Sequence, residues 1–326
     1  MQNIVLLLLC LVVGMLLRRF GRVPDNAHLT LNGFIINVAL PAMILLQIHD
    51  IRFDRTLLGA VAMPWLLFLG GIGVFSAAAR VLSLSPATTG ALILTGGLGN
   101  TSFMGLPMIE AFYGRSGMPT GILIDQLGSY LVLSTLGITI ACVYSRGSMT
   151  WRSVALRVGT FPPFIALLLA AALINLSYPV WLHDVLARLA GTLAPLALVS
   201  IGLQVRLSAL RGNAAPLAIG LGFKLIAAPA ALALLYFGLL GVDGVNARVT
   251  LFEAGMGPMI GGAIVATQYG LNVALVTLMV GVGTIAAFAT LPAWWAVLSA
   301  IYGSVEGGGS DGNYSGSVDG GGTKGN

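Results

Sequence analysis

Ten apolar stretches, the first short and the other nine of bilayer-spanning length, joined by connections too short to fold on their own, leave this chain few architectures. They run Asn3–Leu17, Leu29–Ile48, Leu57–Ala79, Ala87–Phe112, Gly121–Tyr144, Val154–Leu176, Val185–Val205, Ala215–Leu240, Val249–Gln268 and Asn272–Ala300, and each is closed by charges, Gly or Pro. A helix needs about 20 apolar residues to cross the hydrocarbon layer. With 57% hydrophobic and 8% charged residues in a chain of 326, the composition points to an all-α polytopic membrane protein rather than to soluble domains. Short connections leave no room for a folded extramembrane domain, which argues against a membrane-anchored enzyme with its chemistry in a loop. No nucleophile, base and orienter are spaced for catalysis either.

The net charge of +5 does not mark a nucleic-acid partner, because the arginines fall at the ends of the apolar stretches. If the stretches alternate across the bilayer, Arg18, Arg19, Arg22, Arg80, Arg146, Arg152, Arg157, Arg206 and Arg211 share one side, and Arg52, Arg55, Arg115 and Arg248 the other. The positive-inside rule then makes the first side cytoplasmic and puts both termini outside, in the cell (inner) membrane. No positive residue precedes the first stretch and Arg18 follows it, the order of an uncleaved first span. Residues 302–326 read as a disordered Gly/Ser-rich tail. Cys10 and Cys142 lie in apolar stretches and read as packing residues; His28, His49 and His183 sit at stretch edges and are not spaced for a metal.

The halves of the chain resemble each other. Aligning Pro41 with Pro195 lays ALPAMILLQIHDIRF over LAPLALVSIGLQVRL, and nearly the same offset pairs Tyr113-Gly114 with Tyr269-Gly270 and LGSYLVLSTLG with VGTIAAFATLP. A five-span repeat, being odd-numbered, inserts its second copy upside down, the plan of many secondary transporters. The expected organisation is residues 1–144 as the first repeat, 145–153 as a cytoplasmic loop and 154–301 as the inverted second repeat. The same offset lays Gly99-Asn100-Thr101-Ser102 over Gly255-Met256-Gly257-Pro258, so the fourth and ninth spans are expected to break at equivalent depth. Broken backbone is tolerated at membrane depth only where protein or water satisfies it. Gly and Pro also kink membrane helices with no ligand involved, but two symmetric breaks imply a shared cavity. A half-helix N-terminus there, capped by Asn100, Thr101 or Ser102, offers free N–H groups to an anion.

The stretches LNGFIINVALPAMIL, GNTSFMGLPMIEAFYG, PLALVSIGLQ and FEAGMGPMIGGAIVATQYG resemble the auxin efflux carrier family, whose bacterial members are related to the plant PIN auxin exporters and include proteins described as malonate transporters. The resemblance runs from about Leu31 to Leu298. It implies ten helices in two inverted five-helix repeats, a scaffold part, and a mobile transport part whose broken fourth and ninth helices cross. It further implies an organic anion held at the crossover near Asn100, and a homodimer formed through the scaffold. Gly261 and Gly262 stand where such proteins often carry a second polar pair, a departure that implies a site that is roomier, less polar or tuned to a different acid.

Charged residues inside spans are functional candidates by default. Lys224 lies well within the eighth span, where it can neutralise a half-helix C-terminus, pair with a carboxylate or touch the substrate; snorkelling to the interface is the alternative. Asp125 lies more than a turn inside the fifth span and is a candidate for proton coupling, although an aspartate near a helix start is also favoured by the dipole alone. Glu110 and Glu253 fall near the outer ends of the broken spans and read as interfacial charges near Arg115 and Arg248, with Glu253 the better coupling candidate because it precedes the ninth-span break. Pro41 and Pro195 are expected to kink the second and seventh spans, and the tryptophans to form an interfacial belt.

The expected function is therefore a secondary active transporter, an exporter of a small organic carboxylate, working by alternating access. Asn100, Thr101 and Ser102 would bind the carboxylate, Gly257, Pro258 and Gly261 would keep the opposing backbone open, and Asp125, Lys224 and Glu253 would set coupling or charge balance. No cofactor or metal is expected, and the coupling ion is left open between proton and sodium. The partners are the anion, the lipid bilayer and a second copy of the chain. Two alternatives remain at this point: a cation or proton antiporter of related plan, which needs carboxylates at the crossover where the sequence offers neutral residues, and a membrane anion sensor.

Overall fold

The computed structural model describes residues 2–49, 58–145, 152, 155–156, 159–173, 176, 178–204 and 210–302. Arg52, Arg55, Arg146, Arg157, Arg206 and the tail from 303 onward lie outside the described residues, as does most of the expected loop 145–153. Among the described residues the regular elements are helices, with one isolated antiparallel bridge between Gly99 and Pro258.

Six helices are long and apolar enough to cross a membrane: α2 (Ala27–Leu46), α3 (Leu58–Leu82), α6 (Met118–Tyr144), α8 (Val180–Gln204), α9 (Leu210–Leu239) and α12 (Val273–Ile301). They correspond to the second, third, fifth, seventh, eighth and tenth apolar stretches. The first stretch forms α1 (Gln2–Arg19), and the sixth a shorter apolar helix, α7 (Pro162–Ala172). The fourth and ninth are divided. The fourth gives α4 (Pro86–Gly96) and, after a π turn at Thr101–Gly105, α5 (Leu106–Tyr113); the ninth gives α10 (Val245–Ala254) and α11 (Ile260–Gln268). The protein is a helical, multi-pass membrane protein.

Local chemistry sets these boundaries. Ser85 caps α4 by accepting the Thr88 N–H at 3.2 Å, and Pro86 follows at the first helical position, where its missing N–H costs nothing. At the far end of α11 the chain turns away through Gly270, whose φ of +66° favours a residue without Cβ. Several long helices carry a widened turn, at Ile35–Ala39 in α2, Ile124–Tyr130 and Leu133–Gly137 in α6, and Phe223–Ala227 and Leu234–Leu239 in α9. Such π turns recur at functional sites in helices, and here two of them carry Asp125 and Lys224.

The helices pack in two groups. In the first, α1 lies along the second half of α8, while α7 and the first half of α8 pack on the second half of α2. Gly14 and Gly202 make the α1–α8 contact possible: a Cβ on Gly202 would come within 2.9 Å of Gly14 Cα and would overlap the Leu11 carbonyl oxygen. In the second group α4 is surrounded by α3, α9, α11, α12 and the end of α6, and α10 by α3, α5, α9, α12 and the start of α6. The groups meet where α8 touches α12, where α2 touches the Asp125 turn of α6, and where α1 touches Thr101–Gly105. The interrupted helices thus lie in the second group, with the fourth-stretch interruption facing the first.

Candidate functional site at the two helix interruptions

The two interruptions meet. The Asn100 N–H donates to the Gly257 carbonyl at 2.8 Å and the Met259 N–H to the Leu98 carbonyl at 3.1 Å, closing the Gly99–Pro258 bridge. Each break therefore supplies hydrogen bonds that the other lost by leaving the helix, which matters because an unpaired amide in an apolar interior costs several kcal/mol. Gly99, Asn100, Gly257 and Pro258 are all buried. Gly99 has little room for a side chain, since a Cβ there would lie 3.2 Å from Lys224 Nζ.

Gly261 and Gly262 do not enlarge a site. A Cβ on Gly262 would come within 2.5 Å of the Leu94 carbonyl oxygen, and one on Gly261 within 3.0 Å of Leu133 Cδ2. Their function is close packing of α11 against α4 and α6, so the space expected beside them is filled by the neighbouring helices.

Asn100 sits where the second half of the fourth stretch begins. Its Oδ1 accepts the Phe103 N–H at 3.3 Å and so caps the half-helix, while its Nδ2, on a residue only 2% exposed, has no protein partner. Thr101 and Ser102 follow, and both hydroxyls donate to one carboxylate oxygen, Asp125 Oδ1, at 2.5 and 2.6 Å. The other oxygen, Oδ2, is buried with no donor. Ser102 also lies 3.5 Å from the Tyr130 hydroxyl, which donates to Met43 Sδ at 3.2 Å. Asp125 is thus held at a half-helix N-terminus that belongs to another helix.

Lys224 lies against the end of a half-helix and close to a carboxylate. Its Nζ donates to the Ala254 carbonyl at 2.6 Å, at the C-terminal end of α10 where the helix leaves carbonyls unpaired and its dipole is negative. The residue is fully buried, so its charge does not reach the interface. Glu253 is fully buried as well, which sets aside the interfacial reading for it. Its carboxylate fills the space in front of Gly105, where a Cβ would lie 2.5 Å from Oε1, and neither oxygen has a hydrogen-bond donor. Electrostatic interaction links Glu253 to both Asp125 and Lys224. Arg248 is buried, and Glu110 is exposed.

These contacts change one expectation. The residues of the two breaks are neutral along the chain, but packing brings the carboxylates of Asp125 and Glu253 to them, together with the Lys224 ammonium.

A cavity of about 350 Å³ reaches the half-helix between the two groups of helices. Ser102, Phe103, Leu106, Pro107 and Glu110 line it from one side, Met118 from the start of α6, and Leu6 of α1 with Gly191, Ala194 and Pro195 of α8 from the other. Apart from Ser102 and Glu110 the lining is apolar or backbone. Pro195, expected only to shape its helix, is part of the wall. Leu6, Gly191 and Ala194 carried no sequence signal, because small and apolar residues facing a cavity look like residues facing lipid. Of the candidate binding residues only Ser102 lines this cavity; Asn100, Thr101, Gly257, Pro258 and Gly261 do not. Among the described residues no cluster of three metal-ligating side chains occurs.

Comparison with known proteins places the chain in a group. The chain is 27% identical over 303 residues to an uncharacterized transporter of Methanothermobacter thermautotrophicus, covering 91% of this chain and 98% of that protein. It is 26% identical over 309 residues to the uncharacterized transporter MJ1031 of Methanocaldococcus jannaschii, covering 92% and 99%. The family described as membrane transport protein matches residues 1–152 and 146–295, nearly the whole helical part. The chain with two helices interrupted at one buried point, polar groups gathered there and a cavity leading in, belongs to the membrane transport protein family.

Proposed function

We propose that this transporter is a secondary active carrier that exports a small organic carboxylate by alternating access, with the anion held where the fourth and ninth spans cross. The observation that carries the reading is Asn100: a buried Nδ2 without a protein partner, at the start of a half-helix whose Ser102, two residues on, lines a cavity of about 350 Å³. A half-helix N-terminus with an amide donor suits a carboxylate, and the apolar remainder of the wall suits an organic body.

In this reading the ten spans form two inverted five-helix repeats. Two side-chain ties support the arrangement. Asn272, just before α12, donates to Thr88 at the start of α4 at 3.0 Å, and Thr120 at the start of α6 donates to Asn246 at the start of α10 at 2.8 Å. Each joins the start of an interrupted span in one half to the start of the last span in the other, which is the relation a two-fold axis in the membrane plane produces. The group containing α4, α5, α10 and α11 is the moving part, and α1, α2, α7 and α8 form the scaffold through which two copies pair. Both termini lie outside the cytoplasm.

The test is flux of labelled malonate, phenylacetate and indole-3-acetate in proteoliposomes, for the natural sequence and Asn100→Ala. Saturable flux of at least one anion is expected, with affinity weakened more than about tenfold in the variant, the loss of one charge-assisted hydrogen bond of roughly 1.4 kcal/mol or more. No saturable flux of any of them would remove the carboxylate reading. Asp125 and Glu253 at the breaks favour a second reading, a cation–proton antiporter; sodium-driven proton release without anion flux would select it.

A further inference from the structure

The donors expected for a substrate carboxylate are already occupied by a carboxylate of the protein itself. Thr101 and Ser102, the first hydroxyls of the half-helix, both donate to Asp125 Oδ1, and Ser102 is also the residue through which the 350 Å³ cavity touches this cluster. Asn100 Nδ2 beside them has no partner. An anion entering from the cavity and drawing on the Ser102 and Thr101 hydroxyls therefore competes with Asp125 for the same donors. Once displaced, Asp125 would be a fully buried carboxylate with neither oxygen satisfied, next to a second negative charge. A buried charge without donors costs far more than a neutral acid in the same place.

The other ionisable groups facing Asp125 do not relieve this. The Tyr130 hydroxyl is directed to Met43, Glu253 is another carboxylate, and the Lys224 ammonium is given to the Ala254 carbonyl. We propose that Asp125 is an internal stand-in for the transported anion and exchanges its place for a proton, so that each carboxylate bound is accompanied by one proton on Asp125. The inference rests on the carboxylate reading above and names its coupling ion. The step is a transfer of one proton from hydronium or a buffer acid in the solution to the Asp125 carboxylate, the conjugate base staying in solution, as its two hydroxyl donors turn to the substrate. For a monoanion the loaded carrier is then electrically equivalent to the empty one, and net movement follows the combined gradients of anion and proton, so export proceeds where the outward anion gradient exceeds the inward proton gradient.

The experiment uses the full-length protein in nanodiscs and whichever of malonate, phenylacetate and indole-3-acetate the flux assay accepts. Calorimetric titration in two buffers of different ionisation enthalpy counts protons taken up per anion, and the dissociation constant is followed against pH. With one proton linked to each anion, the constant rises up to about tenfold per pH unit as the solution is made more alkaline. One proton taken up, and a flat pH profile with no uptake in Asp125→Asn, are the expected results. A separate variant, Thr101→Val with Ser102→Ala, is expected to weaken anion binding, since both ligands use those hydroxyls. Saturable but pH-independent binding by the natural protein would overturn proton exchange and leave the carrier reading standing. A pH dependence that survives Asp125→Asn would also overturn it, and would move the proton to Glu253. If no anion of the panel binds or moves, the carboxylate reading itself falls, and this inference with it.

Discussion

Lys224 illustrates how a residue can be read correctly as buried and still not be assigned a role from sequence. Its Nζ sits at 2.6 Å from the Ala254 carbonyl, so its charge complements the negative end of α10 and interacts with Glu253 nearby. Replacing it with an apolar residue of similar length leaves that carbonyl and the Glu253 carboxylate without a cation. Lys224→Met is expected to lower stability by about 3–5 kcal/mol, the range for removing one partner of a buried charged pair. Adding Glu253→Gln should return at least about 1 kcal/mol of it, because charges that interact are not additive. Thermal unfolding of the four proteins of this cycle in detergent reads the coupling directly; strict additivity would show that Lys224 acts on the helix end alone. The neighbouring acids differ in kind: Asp125 has two donors on one oxygen, and Glu253 has none.

At the scale of elements, the helices are set by apolar length and their ends by caps and glycines, while their packing depends on where side chains are absent. Gly14 of α1 and Gly202 of α8 let two backbones approach, as small residues do in membrane helix pairs. Gly202→Val would force them apart and is expected to cost roughly 1–3 kcal/mol by overpacking, seen as a lower midpoint of thermal unfolding. Gly73→Ala in α3 is the control, since a Cβ there meets nothing within 4 Å. An equal shift for both would show that the α1–α8 contact adds nothing. The interrupted helices were visible as glycine and proline in apolar surroundings. That the interruptions pair with each other through Asn100 and Met259 N–H groups was not, because backbone hydrogen bonds between distant segments leave no trace in residue type.

For the whole molecule, the question is which helices move together. The tie between Thr120 and Asn246 lies within the group that holds both interruptions, whereas Pro107 and Ala194 line the cavity from different groups. In a background of Cys10→Ala and Cys142→Ala, joining Thr120→Cys to Asn246→Cys is expected to leave anion flux within about twofold. Joining Pro107→Cys to Ala194→Cys by a thiol crosslinker should abolish flux, and reduction of a cleavable linker should restore it. Flux that survives the second crosslink would contradict a moving part sliding past a scaffold. A halving is about 0.4 kcal/mol on a barrier and a loss of a thousandfold about 4 kcal/mol, so the two outcomes are well separated.

By itself the sequence determined that the chain is helical and lies in a membrane, since only long apolar stretches closed by arginine, Gly and Pro meet the bilayer's demand for internally satisfied backbone. It also located both interruptions and singled out Asn100, Asp125, Lys224 and Glu253, because polar residues at apolar depth stand out against their neighbours. Only the tertiary structure decided what those residues touch: that Thr101 and Ser102 serve Asp125, that Lys224 serves the end of α10, that Glu253 is buried, and that Leu6 and Pro195 form a cavity wall. The physical reason is one of range. Transfer from water to lipid is a property of each residue in turn, whereas a hydrogen bond between residues 23 to 30 positions apart depends on how whole helices are packed.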